Sequence, residues 1–208
     1  MEPQGSGSTG SSTAHAILEA AEFLFLRQGY HGTSMRQLAR YAGVTPAAIY
    51  NHYASKEDLF VALLRTVLPH RVLALAVQEA QGEAAAELLQ DGIRRMQDAL
   101  QGRFDHLRLA FIELVEFDGR HLPLVLPEIL APAQAFIARL RASDPRLETW
   151  PPALILKVVG GSVFALAVSQ TFLGSSNELG GDPTDFESLA AILSAGLLHA
   201  GGSKEEAG

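Results

Sequence analysis

Apolar residues recur at helical spacing along almost the whole chain, and nowhere do they alternate strictly with polar ones as a half-buried strand requires. Residues 13–28 carry the first stripe, Ile17, Leu18, Ala21, Leu24 and Phe25, and Gly29 stands where a helix end takes a left-handed residue. Three further helix starts crowd into residues 33–60. Ser34 followed by Gln37 has the pattern of a capping box, and Leu38, Ala39 and Ala42 form a small apolar face that Gly43 terminates. Thr45-Pro46 restarts the chain as N-cap and first-turn proline of a short helix over residues 46–52, with Ile49 turned inward. Ser55 caps a helix from Lys56 whose first turn holds Glu57 and Asp58, where the helix dipole favours acids. Pro69 bends or breaks that helix.

Downstream, Leu88, Leu89, Ile93 and Met96 predict an amphipathic helix over 83–100. Residues 103–117 are apolar on nearly all sides and are expected at the centre of the fold, with Glu113 and Glu116 on its wetter edge. Helices over 127–142 and 152–174 follow, then a final one lined by Phe186, Leu189, Ala190, Leu193 and Leu197. The fold class is all-α. The Gly/Ser/Thr-rich residues 1–12 are expected to form a flexible arm and residues 201–208 a charged tail. The 152–174 stretch approaches membrane-spanning length, but Lys157, Ser162, Ser169 and Gln170 interrupt it. A buried helix is expected there, and no membrane partner.

Two short helices joined by a turn containing Gly form a helix-turn-helix, a geometry in which the second helix can enter a major groove. Spacing alone leaves an ordinary helical corner open. The residues are more specific. The run Thr33…Leu38-Ala39…Ala42-Gly43-Val44…Ile49-Tyr50-Asn51-His52-Tyr53…Ser55-Lys56-Glu57-Asp58-Leu59 resembles the signature of the tetracycline-repressor (TetR) family of transcriptional regulators, a likeness covering residues 13–65. It implies a helix-turn-helix DNA-binding domain at 13–60, with three helices, and a helical effector-binding and dimerisation domain at 61–200. The implied protein is a cytoplasmic homodimer, a regulator and repressor, bound to a palindromic operator in double-stranded DNA. By the same resemblance Thr33, Ser34 and Arg36 border the DNA, and Thr45, Pro46, Ala47, Ala48, Tyr50, Asn51 and His52 present the recognition helix. Lys56 matches the family's phosphate-binding lysine. The recognition helix has no Arg or Lys; it offers methyl groups, hydroxyls and an amide, which leaves Arg36 as the candidate for guanine readout.

The formal net charge of −7 divides unevenly. Residues 1–65 hold five basic and five acidic residues, so the remainder carries the whole excess. An acidic remainder favours DNA contact through the N-terminal part alone, and few basic residues predict a modest salt slope. The sparse positive charge also leaves open a helical small-molecule carrier or sensor that no longer binds DNA. Cysteine is absent, which removes disulfides, thiolate metal sites and cysteine nucleophiles. Seven scattered histidines form no metal-binding pattern, and no glycine loop is built to cradle phosphate, so neither cofactor, metal nor catalytic site is expected.

An apolar effector is expected between the 103–117, 127–142 and 152–173 helices. Phe104, Leu107, Phe111, Leu114 and Val115 on the first, with Phe136, Trp150 and Phe164 beyond, are the candidate walls, although the same residues suit a plain core. Leu156, Gly160, Val163 and Ala167 share one helical face, and Phe186, Leu189, Leu193 and Leu197 another. These two faces match the family's intersubunit four-helix bundle, although they also suit the core of the single chain.

Overall fold

A computed structural model describes the backbone of residues 7–173 and 185–200 and the side chains of 11–170 and 185–198. Ten α-helices occupy the described residues: α1 (Gly7–Gln28), α2 (Met35–Tyr41), α3 (Pro46–His52), α4 (Lys56–Val67), α5 (His70–Gln78), α6 (Ala85–Leu100), α7 (Leu107–Phe117), α8 (Leu126–Ser143), α9 (Pro152–Leu173) and α10 (Asp185–Ala200). They form two compact units. The first comprises residues 1–68 and 105–124, the second 69–104 and 125–208. The chain therefore passes between units three times, rather than once after residue 60.

Helix α1 starts at Gly7, inside the stretch expected as a flexible arm. No proline lies between Gly7 and the Ile17–Phe25 stripe, so helical turns propagate backwards from that anchored segment. The outermost residues of the expected arm, 1–6, and the 201–208 tail lie outside the described residues.

In the first unit Ile17, Phe25, Leu38, Ile49, Leu59, Phe60 and Leu63 are fully buried and share a core with Leu109 and Phe117 of α7. The Phe117 ring stacks on Phe60 at 5.0 Å between centroids and meets the Tyr30 ring edge-on at 4.6 Å. These aromatic contacts draw α7 into this unit. The helix is one-sided rather than central: Leu109, Glu113 and Phe117 are buried, whereas Leu114 and Val115 are 45% and 78% exposed. Glu113, expected at a wet edge, is completely buried because a histidine covers it, as described below.

In the second unit α5 packs on α6 and α8, α6 also packs on α10, and α9 lies against α8 and α10. A Cβ on Gly92 of α6 would come within 2.8 Å of the Phe136 ring of α8, so glycine here permits close helix approach. Four residues assigned from sequence to a subunit interface are instead core of their own chain: Val163, Ala167, Phe186 and Leu193 are 9% exposed or less. Helices α6 and α8 cover that side of α9 and α10 within the unit. Leu156, Gly160, Leu189 and Leu197 are half-buried.

Two stretches, 56–78 and 152–170, have the length and hydropathy of a membrane span. The first is divided by the break at Pro69, where α4 ends and α5 begins, and the second packs within the second unit.

Candidate nucleic-acid interface

The local chemistry of residues 29–58 sets the geometry of the first unit's polar end. Gly29 and Gly43 adopt φ of 77° and 69°, left-handed values that end α1 and turn the chain after α2 without steric cost. Ser34 caps α2: its Oγ accepts from the Gln37 backbone N–H, while the Gln37 side chain accepts from the Ser34 N–H at 2.8 Å. Thr45 caps α3 through Oγ1, which accepts from Ala48 N–H at 3.2 Å. Ser55 caps α4 by accepting from Asp58 N–H at 3.0 Å. Each cap satisfies a donor that the helix leaves unpaired.

Ile49 is fully buried and pins α3, which turns Thr45, Pro46, Ala47, Tyr50, Asn51 and His52 outward. Ala48 is half-buried. On α2, Arg36 and Arg40 are both exposed and line, with Ser34, Gln37, Val44 and Pro46, a cleft of about 380 Å³ between α2 and α3. Arg40 was counted from sequence only as a charge. Its spacing of four residues from Arg36 puts both on one helix face and was the available signal.

Two of the expected positions are placed differently. Thr33 is 2% exposed; its hydroxyl donates to Gly29 O at 2.8 Å and accepts from Gln28 Nε2 at 3.2 Å. It closes the α1–α2 turn and its side chain does not face outward. Lys56 is half-buried, with Nζ donating to the carbonyls of Tyr30 and Thr33, each at 2.7 Å, above the Tyr30 ring at 4.1 Å. Desolvation lowers its pKa, against which the nearby Glu116 carboxylate acts. The ammonium therefore holds the turn that leads into α2 and keeps one N–H for an outside acceptor.

The eight expected effector-pocket residues do not converge in either unit. Leu107, Phe111, Leu114 and Val115 belong to the first, Phe104, Phe136, Trp150 and Phe164 to the second. Phe136 is buried against Gly92 as core, and Trp150 Nε1 donates to Leu197 O at 3.4 Å. The second unit instead has an open groove of about 580 Å³ where α6 meets the start of α10, lined by Gln90, Asp91, Arg94, Phe186 and Glu187 among others. Asp91 is locked there. Burial opposes its ionisation, but hydrogen bonds from Arg95, the Gln81 N–H and Arg94 outweigh this and hold its pKa at about 2.

The capped helices α2, α3 and α4, with α3 facing outward beside two arginines, define a helix-turn-helix protein. Residues 17–63 match the model of bacterial regulatory proteins of the tetR family. The helix-turn-helix segment is similar to that family. It is 43% identical over 54 residues to the HTH-type transcriptional repressor BepR of Brucella suis, an alignment covering 26% of each chain. It is 33% identical over 129 residues to the HTH-type transcriptional regulator TcmR of Streptomyces glaucescens, covering 60% of this chain and 54% of TcmR. The chain spans about half or less of the length of the curated relatives it matches. To solved structures the likeness is one of fold. The transcriptional regulator FadR of Bacillus subtilis, solved in complex with stearoyl-CoA, superposes with a TM-score of 0.70 at 18% identity, over 88% of this chain and 98% of that one.

Proposed function

We propose that this chain is a cytoplasmic, ligand-responsive transcriptional regulator, a repressor, that binds a palindromic operator as a homodimer and places α3 in the major groove. The observation that carries this reading is the outward face of α3, Thr45, Pro46, Ala47, Tyr50 and Asn51, beside the exposed Arg36 and Arg40. Methyl groups of Thr45 and Ala47 suit thymine, the Asn51 amide suits adenine, and Arg36 suits guanine. Arg40, His52 and the remaining Lys56 N–H serve phosphates, which fix register without reading sequence. The effector binds in the second unit. Its binding there and DNA binding in the head are linked by differential affinity for two conformers, typically about 1–3 kcal/mol of coupling.

The test is selection of duplexes from a random library by the wild-type protein, with Arg36→Ala and Tyr50→Ala beside it. An enriched palindrome, with its base preferences blurred by both variants, is the expected result. No enrichment by a folded protein overturns the reading and leaves a helical small-molecule carrier in its place.

A further inference from the structure

The first unit contains a buried acid that the reading surface does not use. Glu113 of α7 is 0% exposed, yet its carboxylate is fully engaged by one residue, His121, eight positions on. The His121 backbone N–H donates to Glu113 Oε1 at 2.7 Å, and ring Nδ1 lies 2.9 Å from Oε2. The chain can fold back this sharply because Asp118 and Gly119 take left-handed φ of 53° and 72°. On the far side of the ring, Nε2 lies 3.0 Å from Glu57 Oε1 on the first turn of α4. Arg120 Nη2 reaches the same oxygen at 3.0 Å, and the imidazole rests edge-on against Phe117 at 4.9 Å. A carboxylate oxygen thus faces each ring nitrogen, and both nitrogens donate only when the ring carries both protons.

Glu57 adjoins Lys56. One residue of this turn is tied to the α1–α2 turn through the Tyr30 and Thr33 carbonyls, and the next is tied to the turn after α7. The α1–α2 turn in turn carries Ser34, the N-cap of α2. We infer that His121 is a positioning residue for DNA binding: by bridging Glu113 and Glu57, it fixes the first turn of α4 and through it the angle at which α2 and α3 are presented. This rests on the DNA-binding reading above. It assigns the 118–121 turn, far in sequence from the helix-turn-helix, to the reading head. Arg120 also pairs with Glu57, so the α4 end of the bridge has two partners and the α7 end the ring alone.

The experiment measures affinity for the duplex enriched by the wild-type protein, for wild type, Glu57→Gln, His121→Ala and the double variant, beside their melting temperatures. Glu57→Gln leaves the buried Glu113–His121 pair in place and removes the charge from the link to α4, keeping an amide oxygen that can accept. It is expected to weaken DNA binding about ten-fold, as loss of a charge-assisted hydrogen bond does, with melting unchanged because the Glu57 contacts are partly exposed. Within the His121→Ala background, Glu57→Gln is expected to cost much less than in wild type. Nitrogen-15 spectra of the imidazole provide a second readout, with the Nε2 signal of His121 moved in Glu57→Gln and the Nδ1 signal, facing Glu113, held. Equal affinities for wild type and Glu57→Gln, or additive losses in the double variant, overturn the proposal. If the wild type enriches no duplex, the DNA-binding reading fails and this role fails with it; enrichment with equal variant affinities removes the positioning role alone.

Discussion

Two of the three ammonium hydrogens of Lys56 are taken up by the main-chain carbonyls of Tyr30 and Thr33. Its substitution therefore acts on the fold as well as on phosphate. Lys56→Met is expected to lower unfolding free energy by about 1–3 kcal/mol, since two half-buried carbonyls lose a charged donor. Urea denaturation measures that cost, and DNA affinity should fall alike on every sequence. The cation at a helix start was legible in the sequence; its partners lie 23 and 26 residues away and are set by tertiary packing, which local patterning does not carry. The same holds for Thr33, whose hydroxyl is seen to be occupied only once the turn is closed. Asp91 supports a pH prediction. Its folded pKa of about 2 lies below the ordinary 3.8, so its contribution is present above about pH 4 and lost as pH falls through 2. Asp91→Asn should remove that part of the acid limb in melting curves recorded across this range, leaving the neutral-pH slope alone.

Helix boundaries in the head were readable because caps are local. Ser34, Thr45 and Ser55 each bond within three residues, and Gly29 and Gly43 supply the left-handed turns. Ser34→Ala should cost about 1 kcal/mol by thermal melting, the usual worth of such a cap. The element the pattern misassigned is α7. Its apolar surface announced burial, but not that Phe117 would find Phe60 and Tyr30 in the first unit. Helix pairing depends on shape at the contact, and a glycine reports it only after the partner is known. At Gly92 the partner is Phe136. Gly92→Ala gains up to about 1 kcal/mol of helix propensity but forces a buried ring aside at about 1–3 kcal/mol. The expected net is a lower melting temperature, and an unchanged or raised value would mean that the ring moves freely.

At the scale of the whole molecule, a palindromic operator requires two copies of the head related by a two-fold axis. The sequence pointed to α9 and α10 as the meeting surface, yet their most apolar face is turned into their own unit, with Val163, Ala167 and Phe186 among its buried residues. Periodicity finds an apolar face and does not distinguish a core from an interface. What these helices leave outward is a second, smaller-featured surface. Leu154 is 42% and Ile192 68% exposed, and among the described residues nothing outside their own helix backbone comes within 4 Å of where a Cβ would stand on Gly161 or Gly196. Small residues beside exposed aliphatic ones permit close approach of a second pair of helices, and we propose this surface as the subunit contact. A stable contact of this kind buries at least about 1,000 Å² in total, with Ile192 contributing through apolar burial. Ile192→Glu places a carboxylate in that contact, where a charge without a partner is costly. Sedimentation should then show a dimer for wild type and a monomer for the variant, with melting of the separate chain little changed because Ile192 is already exposed. Affinity for a full palindrome should collapse while that for a single half-site, measured at low salt, should persist. A variant that stays dimeric would move the subunit contact to another face.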